Sequence, residues 1–333
     1  MPSRPVLVSL ATSLLVAPVL SVMIAPPAQA APAPAAKPKP AKVASPDYDG
    51  DGKADLAAVA NGDDERYFVR VWYGSGRVAD ITYAELKPDS NIGNELLAAD
   101  LDGDGYTDLI ATSWGEKGTG IHVIPGSATG LQPSAQQTVI MSTNEAATVR
   151  SLALVESPVR RLAVGISTYR GSGKYADEVR LYRLSAAGRP TGTPIKLQPG
   201  SGKLPKLLKN SYFRPMESWG NQLFIGAPEA KVSGKAGAGA VAVVTLDSKG
   251  VKSVKVITQA TKGVTGAVDK HDGFGWSLAA RDGYLVVGTR ADHVGAVKDT
   301  GSIQVFSLSK GKVKPVRRIL AGHRRSSGQG RAL

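Results

Sequence analysis

The feature that most constrains the fold is a short apolar run that recurs five times along the chain of 333 residues. A second strand-like run follows each copy, and Gly, Asp and Ser cluster between the runs. Most of these second runs carry β-branched and aromatic residues. The five copies begin at Leu56, Leu109, Leu162, Leu223 and Leu285, so that successive copies start 53, 53, 61 and 62 residues apart. The second runs begin at Val69, Ile121, Val179, Ala240 and Ile303. This spacing predicts an array of similar structural units.

Each unit of roughly 57 residues has room for three or four strands, the size of one propeller blade. No stretch after residue 46 shows a sustained helical period of apolar residues. The prediction is therefore an all-β fold, a β-propeller with about five recognisable blades. Because one small sheet cannot bury both of its faces, neighbouring blades must stack. How the ring closes stays open between a small ring, another form of closure and an incomplete chain.

The segments outside the repeats predict an exported protein. Residues 1–30 hold Arg4, an apolar run and a terminal A-x-A motif, which together indicate a cleaved signal peptide and a secreted, extracellular product. The alternative is that these residues stay as an uncleaved membrane anchor. If they are cleaved, we expect no stable membrane insertion of the mature protein. Residues 31–46, rich in Pro, Ala and Lys, predict an extended linker. The propeller is expected over residues 47–309 and a basic tail over 310–333.

The distribution of charge points to metal ions. The net charge is +13, yet residues 47–116 hold 16 acidic and only 5 basic residues. Half of those acids belong to two copies of D-x-D-G-D-G-x-x-D-L, a pattern that places carboxylates at positions 1, 3, 5 and 9 and a carbonyl oxygen at position 7. The predicted ligands of the first loop are Asp47, Asp49, Asp51, Lys53 and Asp55; those of the second are Asp100, Asp102, Asp104, Tyr106 and Asp108.

Such a cluster of oxygens in each loop suits Ca²⁺, two ions in all, better than Mg²⁺, which prefers fewer protein ligands and stricter octahedral geometry. An EF-hand would require a bidentate Glu at position 12, where the two loops have Ala58 and Ala111. Solvated Asp-Gly turns without metal are the remaining alternative.

The loops and the strands that follow them resemble FG-GAP repeats, the blades of the integrin α-chain propeller and of its bacterial secreted relatives. Later units carry the pieces for which that family is named, Gly226-Ala227-Pro228 and Phe274-Gly275. The resemblance covers residues 47 to about 309 and is weakest in the third unit. It implies a propeller in which calcium is structural and partners dock elsewhere, as in cell adhesion. The family usually closes seven blades, so five leave closure in question.

No catalytic constellation is evident in the sequence, so we expect the protein not to be an enzyme. The chain has no cysteine, and its four histidines are scattered. The segment around Ser277 lacks the final glycine of G-x-S-x-G, and Gly171 to Lys174 lacks the leading glycine of a phosphate loop. We therefore expect a non-catalytic binding or adhesion module, with an extracellular hydrolase or lyase on the same scaffold as the alternative.

The expected partner is a protein or an anionic cell-wall polysaccharide. Residues 117–309 hold 24 basic and 12 acidic residues, and Lys203, Lys206 and Lys209 alternate there with leucines. A solvated surface is the plainer interpretation of these lysines, and a cationic ligand-binding face is the more specific one. Nucleic acid is not expected, because the aromatic residues are few and are not interleaved with basic ones.

Overall fold

A computed structural model of the chain describes residues 46–62, 66–86, 91–115, 118–209, 211, 213, 215–293 and 297–320. These residues form nineteen strands, one four-residue helix (α1, Tyr83–Leu86) and two short 3₁₀ turns, Pro133–Ala135 and Lys206–Leu208. The predicted all-β class is confirmed. The predicted signal peptide, all but the last residue of the linker, and the tail beyond residue 320 lie outside the described residues.

The strands form five antiparallel sheets in which neighbours along the chain are neighbours in space. The first sheet has three strands, β1 (Leu56–Asn61), β2 (Tyr67–Trp72) and β3 (Val78–Ile81). The second has β4 (Asn91–Ala99), β5 (Asp108–Gly115), β6 (Gly118–Ile124) and β7 (Gln137–Ser142). The third has β8 (Ala147–Val155), β9 (Arg161–Tyr169), β10 (Tyr175–Leu184) and β11 (Pro190–Leu197).

The last two sheets repeat this arrangement. The fourth has β12 (Met216–Trp219), β13 (Gln222–Ala227), β14 (Ala240–Leu246) and β15 (Val251–Ile257). The fifth has β16 (Phe274–Arg281), β17 (Tyr284–Thr289), β18 (Ser302–Ser309) and β19 (Lys312–Leu320). Strand β19 pairs with β18 along its length, so the fifth sheet continues past the predicted boundary at residue 309. The cationic composition of this segment concealed a strand, because lysines and arginines can point into solvent while the backbone pairs.

The core lies between the sheets. Four clusters of buried apolar residues join the first sheet to the second, the second to the third, the third to the fourth and the fourth to the fifth. Strands of the middle sheets contribute to two clusters at once. In β5, Leu109 packs toward the first sheet and Ile110 toward the third. This explains the continuously apolar runs of the three middle units, since both faces of a middle sheet are covered.

The two end sheets differ from the middle ones because, among the residues that the structure describes, each packs against a neighbouring sheet on one face. The burial of β17 alternates along the strand, with Leu285 buried and Tyr284 half exposed at 50%. At the other end of the array, Leu56 of β1 is 59% exposed. The first strands of consecutive sheets contact one another from β1 to β16. In the described part of the chain no comparable contact joins the fifth sheet to the first, so the arrangement is propeller-like with no observed closure.

Backbone contacts between glycines join the fourth and fifth sheets. A Cβ atom at Gly226 would lie 2.3 Å from the carbonyl oxygen of Gly275. Gly239 also forms a bridge with Phe274, where a Cβ would lie 2.3 Å from both the backbone nitrogen and the carbonyl oxygen. Glycine is required at both positions because only its backbone can approach this closely.

Candidate metal centres

The two predicted metal loops fold alike, each directly before a strand. Residues 47–55 precede β1 and residues 100–107 precede β5. In the first loop Gly50 has φ +68° and Gly52 φ +89°; in the second, Gly103 has φ +79° and Gly105 φ +94°. These left-handed conformations favour glycine and let nine residues curl so that several carboxylates face inward.

In the first loop three of the four carboxylates converge. One oxygen from each of Asp47, Asp49 and Asp55 lies within 4.8 Å of the others. Both oxygens of Asp55 accept hydrogen bonds from backbone N–H groups, of Tyr48 at 2.6 Å and of Gly74 at 2.8 Å. Asp47 Oδ2 accepts a hydrogen bond from the N–H of Gly52 at 3.1 Å, whereas its Oδ1 is buried and has no hydrogen-bond partner. A buried carboxylate oxygen without a donor is costly unless a cation or water occupies the space beside it.

The second loop repeats this geometry with Asp100, Asp102 and Asp108. Asp108 accepts hydrogen bonds from the N–H groups of Leu101 at 2.7 Å and Gly126 at 2.9 Å. The two oxygens of Asp100 accept from Gly103 at 2.7 Å and Gly105 at 3.2 Å. Each predicted site is therefore a rigid cradle in which backbone donors hold the carboxylates in place.

The carboxylates at position 5 of the loops lie outside these clusters. Asp51 and Asp104 are exposed, and each accepts a hydrogen bond from the N–H two residues later, at 2.8 Å for Lys53 and 2.9 Å for Tyr106. The structure thus brings together six of the eight predicted carboxylate ligands. The carbonyl oxygens predicted to contribute from Lys53 and Tyr106 stay predictions.

Two glycines escaped the sequence analysis although they complete the cradles. Gly74 and Gly126 donate to the last aspartate of their loops and lie in tight places: a Cβ at Gly74 would approach Lys53 Cβ to 2.4 Å, and one at Gly126 would approach the carbonyl oxygen of Thr107 to 2.3 Å. In the first and second units a Gly-Ser pair follows the second strand-like run, and this shared pair is the sequence signal that could have identified the two glycines.

Hydrogen bonds connect the loops to each other and to the third sheet. The N–H of Asp47 donates to Thr107 Oγ1 at 3.0 Å, and the N–H of Thr107 donates to the carbonyl oxygen of Asp47 at 2.9 Å. Arg160, between β8 and β9, donates to the carbonyl oxygens of Asp100 at 2.5 Å and Leu101 at 2.6 Å. The loops consequently lie at the junction of three sheets.

The electrostatics of both clusters favour a cation. Burial raises the pKa of Asp49, and the neighbouring carboxylates of Asp55 and Asp51 raise it further. Burial raises the pKa of Asp108 to about 6, with smaller increases from Asp102 and Asp104 opposed by its two backbone donors. A divalent cation would supply the opposite charge that these carboxylates lack. The donor set, all oxygen and mostly carboxylate, fits Ca²⁺.

Comparison with known proteins agrees with this geometry. Residues 47–111, which span the first sheet and both loops, match the family model described as FG-GAP-like repeat. This part of the chain is therefore similar to an FG-GAP-like repeat. The Gly226-Ala227-Pro228 and Phe274-Gly275 segments that resemble the same family lie at the contact between the fourth and fifth sheets.

More distant comparisons add little about activity. The search of curated proteins found no match to the chain. Among solved structures, one titled as the crystal structure of a thermostable family-43 glycoside hydrolase is similar over 81% of this chain and 95% of that one, with 9% sequence identity and a TM-score of 0.41. A likeness this remote carries no argument about chemistry.

The residues considered for the enzyme alternative occupy ordinary places in the sheets. Ser277 is an exposed residue of β16, and His122 is a wholly buried residue of β6 whose Nδ1 lies 3.0 Å from Thr138 Oγ1 and 3.3 Å from Gln136 Oε1. Within the described ranges, no helix combines the length and apolar character needed to cross a bilayer.

Proposed function

We propose that this chain is an exported, calcium-stabilised FG-GAP module that binds a ligand without chemical turnover. The observation that carries the calcium assignment is the convergence of three carboxylates in each loop, with Asp47 Oδ1 buried and lacking a hydrogen-bond donor. Asp47, Asp49 and Asp55 would hold one ion, and Asp100, Asp102 and Asp108 a second. When bound, each ion supplies positive charge that relieves repulsion among the carboxylates.

Contacts of the chain's own residues support a structural role for these sites. Thr107 connects the first loop to the second, and Arg160 connects the second loop to the third sheet. Ordering the loops therefore braces the junction of the first three sheets and leaves the outer edges of the array available for a ligand. Export rests on the sequence of residues 1–30, and N-terminal sequencing of the secreted protein should begin at Ala31.

Thermal melts with calcium and with a chelator test the metal proposal. We expect calcium to raise the melting temperature, since an ion at 100 times its dissociation constant stabilises the folded state by about 2.7 kcal/mol per site. Titration calorimetry should count two ions. Asp49→Asn and Asp102→Asn should each remove one site, because these side chains line a cluster and make few other hydrogen bonds.

Asp282→Asn is the matched control, since Asp282 is an exposed aspartate in the β16–β17 turn, 3.4 Å from Arg281. It should leave the calcium response unchanged. A melting temperature that ignores both calcium and chelator, with no heat of binding, would overturn the metal proposal. The non-catalytic role is tested separately: turnover of a polysaccharide or peptide substrate that one serine or carboxylate substitution abolishes would establish the hydrolase or lyase alternative.

A further inference from the structure

The outer edges of the third and fourth sheets carry two open clefts that the metal centres do not involve. The first cleft, of about 820 Å³, lies between β11, the segment after it and β15. Its described lining residues include no carboxylate and four lysines, namely Lys203, Lys206, Lys249 and Lys252. Between the lysines the surface is apolar and is formed by Ile195, Leu204, Pro205, Val251 and Val254. Oδ1 of the nearby Asp247 accepts hydrogen bonds from the backbone N–H groups of Lys249 and Gly250, both at 2.9 Å.

The second cleft, of about 570 Å³, is lined by the β9–β10 hairpin and by Lys196, Gln198, Pro199 and Lys209 of β11 and the segment after it. Five basic residues line it, namely Arg170, Lys174, Arg180, Lys196 and Lys209. Its two carboxylates are already engaged: Asp177 is buried and accepts a hydrogen bond from Ser167 Oγ at 2.5 Å, while Glu178 pairs with Arg180 and accepts from Gln198 Nε2 at 2.7 Å. Five bases less two acids leave this cleft at +3, beside the +4 of the first.

Residues 195–209 contribute to both clefts, and the basic residues that line the two clefts are together called the basic band. Apart from Arg180, no basic residue of the band forms a salt bridge with another described residue. Like charges gathered this way repel one another in the free protein, so a multivalent anion that spans the band gains from several of them at once.

We propose that this basic band binds a linear acidic polysaccharide. The inference rests on the proposed non-catalytic binding function and names its ligand class. An acidic sugar carries a carboxylate or sulfate and also aliphatic C–H faces, which match a cleft of lysines around an apolar floor. Lysine is a flexible point charge, suited to anions spaced irregularly along a polymer.

Other polyanions fit the band less well. Proteins that bind single-stranded nucleic acid stack bases on aromatic side chains, and Tyr175 is the sole aromatic residue among the described residues that line the clefts. An anionic membrane presents a broad plane, whereas these lysines surround concave clefts. Both ligands serve as comparators in the test.

The experiment measures binding of the full mature protein to polygalacturonate, with neutral dextran, a single-stranded oligonucleotide and anionic phospholipid vesicles in parallel. Lys206→Glu with Lys252→Glu should weaken polygalacturonate binding by about tenfold or more, because two attractive charges become repulsive. The control is Lys312→Glu with Lys314→Glu, which makes the same charge change at exposed positions of β19 and should alter the affinity by less than about twofold. Raising the salt from 50 to 200 mM should weaken binding steeply.

Absence of binding to polygalacturonate at 50 mM salt, equal losses in the two double variants, or equal binding to dextran would each overturn the proposal. Tighter binding to the oligonucleotide or vesicles would overturn the ligand class. Melting curves in calcium verify that the variants fold. Shortening of the polymer would refute only the non-catalytic role, because the two double variants would still test binding at the basic band. The chelator melts test calcium binding independently of the catalytic role and of the band.

Discussion

Replacement of Gly226 by alanine tests whether close backbone packing between sheets holds the array together. The new Cβ would lie 2.3 Å from the carbonyl oxygen of Gly275, and 3.3 Å from that of Pro215. Ordinary carbon–oxygen contacts begin at about 3.3 Å, so the distance between the fourth and fifth sheets must increase locally by roughly 1 Å. Overpacking of this kind costs about 1–3 kcal/mol, and we expect the upper half of that range because the obstructing atom belongs to backbone.

Gly165 supplies the matched control, since it ends the aligned apolar run of the third unit. A Cβ there would lie 2.4 Å from Ser151 Oγ, a hydroxyl that is buried without a hydrogen-bond partner and can rotate away at little cost. Gly165→Ala should therefore change the free energy of unfolding by less than about 1 kcal/mol.

Urea denaturation followed by circular dichroism measures both variants, with the midpoint shift converted at constant m-value. If Gly226→Ala is as stable as Gly165→Ala, close contact between the fourth and fifth sheets is not what requires glycine, and the packing argument fails.

Three further substitutions test buried polar groups. Burial raises the pKa of Glu217, although a hydrogen bond from the N–H of Ala280 lowers it in part. Ionisation of Glu217 therefore costs stability as the pH rises above the unfolded-state pKa. Glu217→Gln should raise the melting temperature at pH 7 and reduce the decrease of the melting temperature between pH 4 and 7. Thr107→Val removes the side-chain acceptor for the N–H of Asp47. It should lower the free energy of unfolding in urea by about 1–3 kcal/mol and weaken calcium binding in calorimetry. An unchanged calcium affinity would show that the two loops act separately. Arg161 is 2% exposed, and among the described residues it makes one hydrogen bond, 3.3 Å from Nη2 to the carbonyl oxygen of Ser248. Arg161→Met should therefore be neutral or stabilising by about 1 kcal/mol, and a loss of stability above ~2 kcal/mol would contradict this.

The repeats made the architecture predictable because apolar runs and turn glycines are local signals. The run at Leu109 predicted β5, and the loop glycines predicted the turns before it. The fourth strand of the last sheet was missed, since Lys312–Leu320 is as cationic as a solvated tail and becomes a strand through pairing with β18. Local composition does not reveal such pairing.

The candidate metal centres show the same division between local and tertiary information. The loop pattern located Asp47 and Asp55, whose spacing within nine residues brings them together. The pattern did not distinguish Asp51, which is exposed in the folded loop, from the carboxylates that converge. It also did not identify Gly74, which follows the second strand and donates a hydrogen bond to Asp55. The sequence indicated a possible cationic face at Lys203, Lys206 and Lys209 but not the first cleft, because Lys206 and Lys252 line it together only after two sheets stack.

The sheets contact one another in chain order, and this has a consequence for how the molecule comes apart. Stability in such an array is approximately a sum over neighbours, so a sheet with one neighbour is held by about half the interface of a sheet with two. Hydrogen exchange should therefore be fastest in the first and fifth sheets and slowest in the third. The first candidate metal loop directly precedes the first sheet, so calcium bound there would slow the opening of that sheet, while the fifth sheet would open at a rate that calcium does not change.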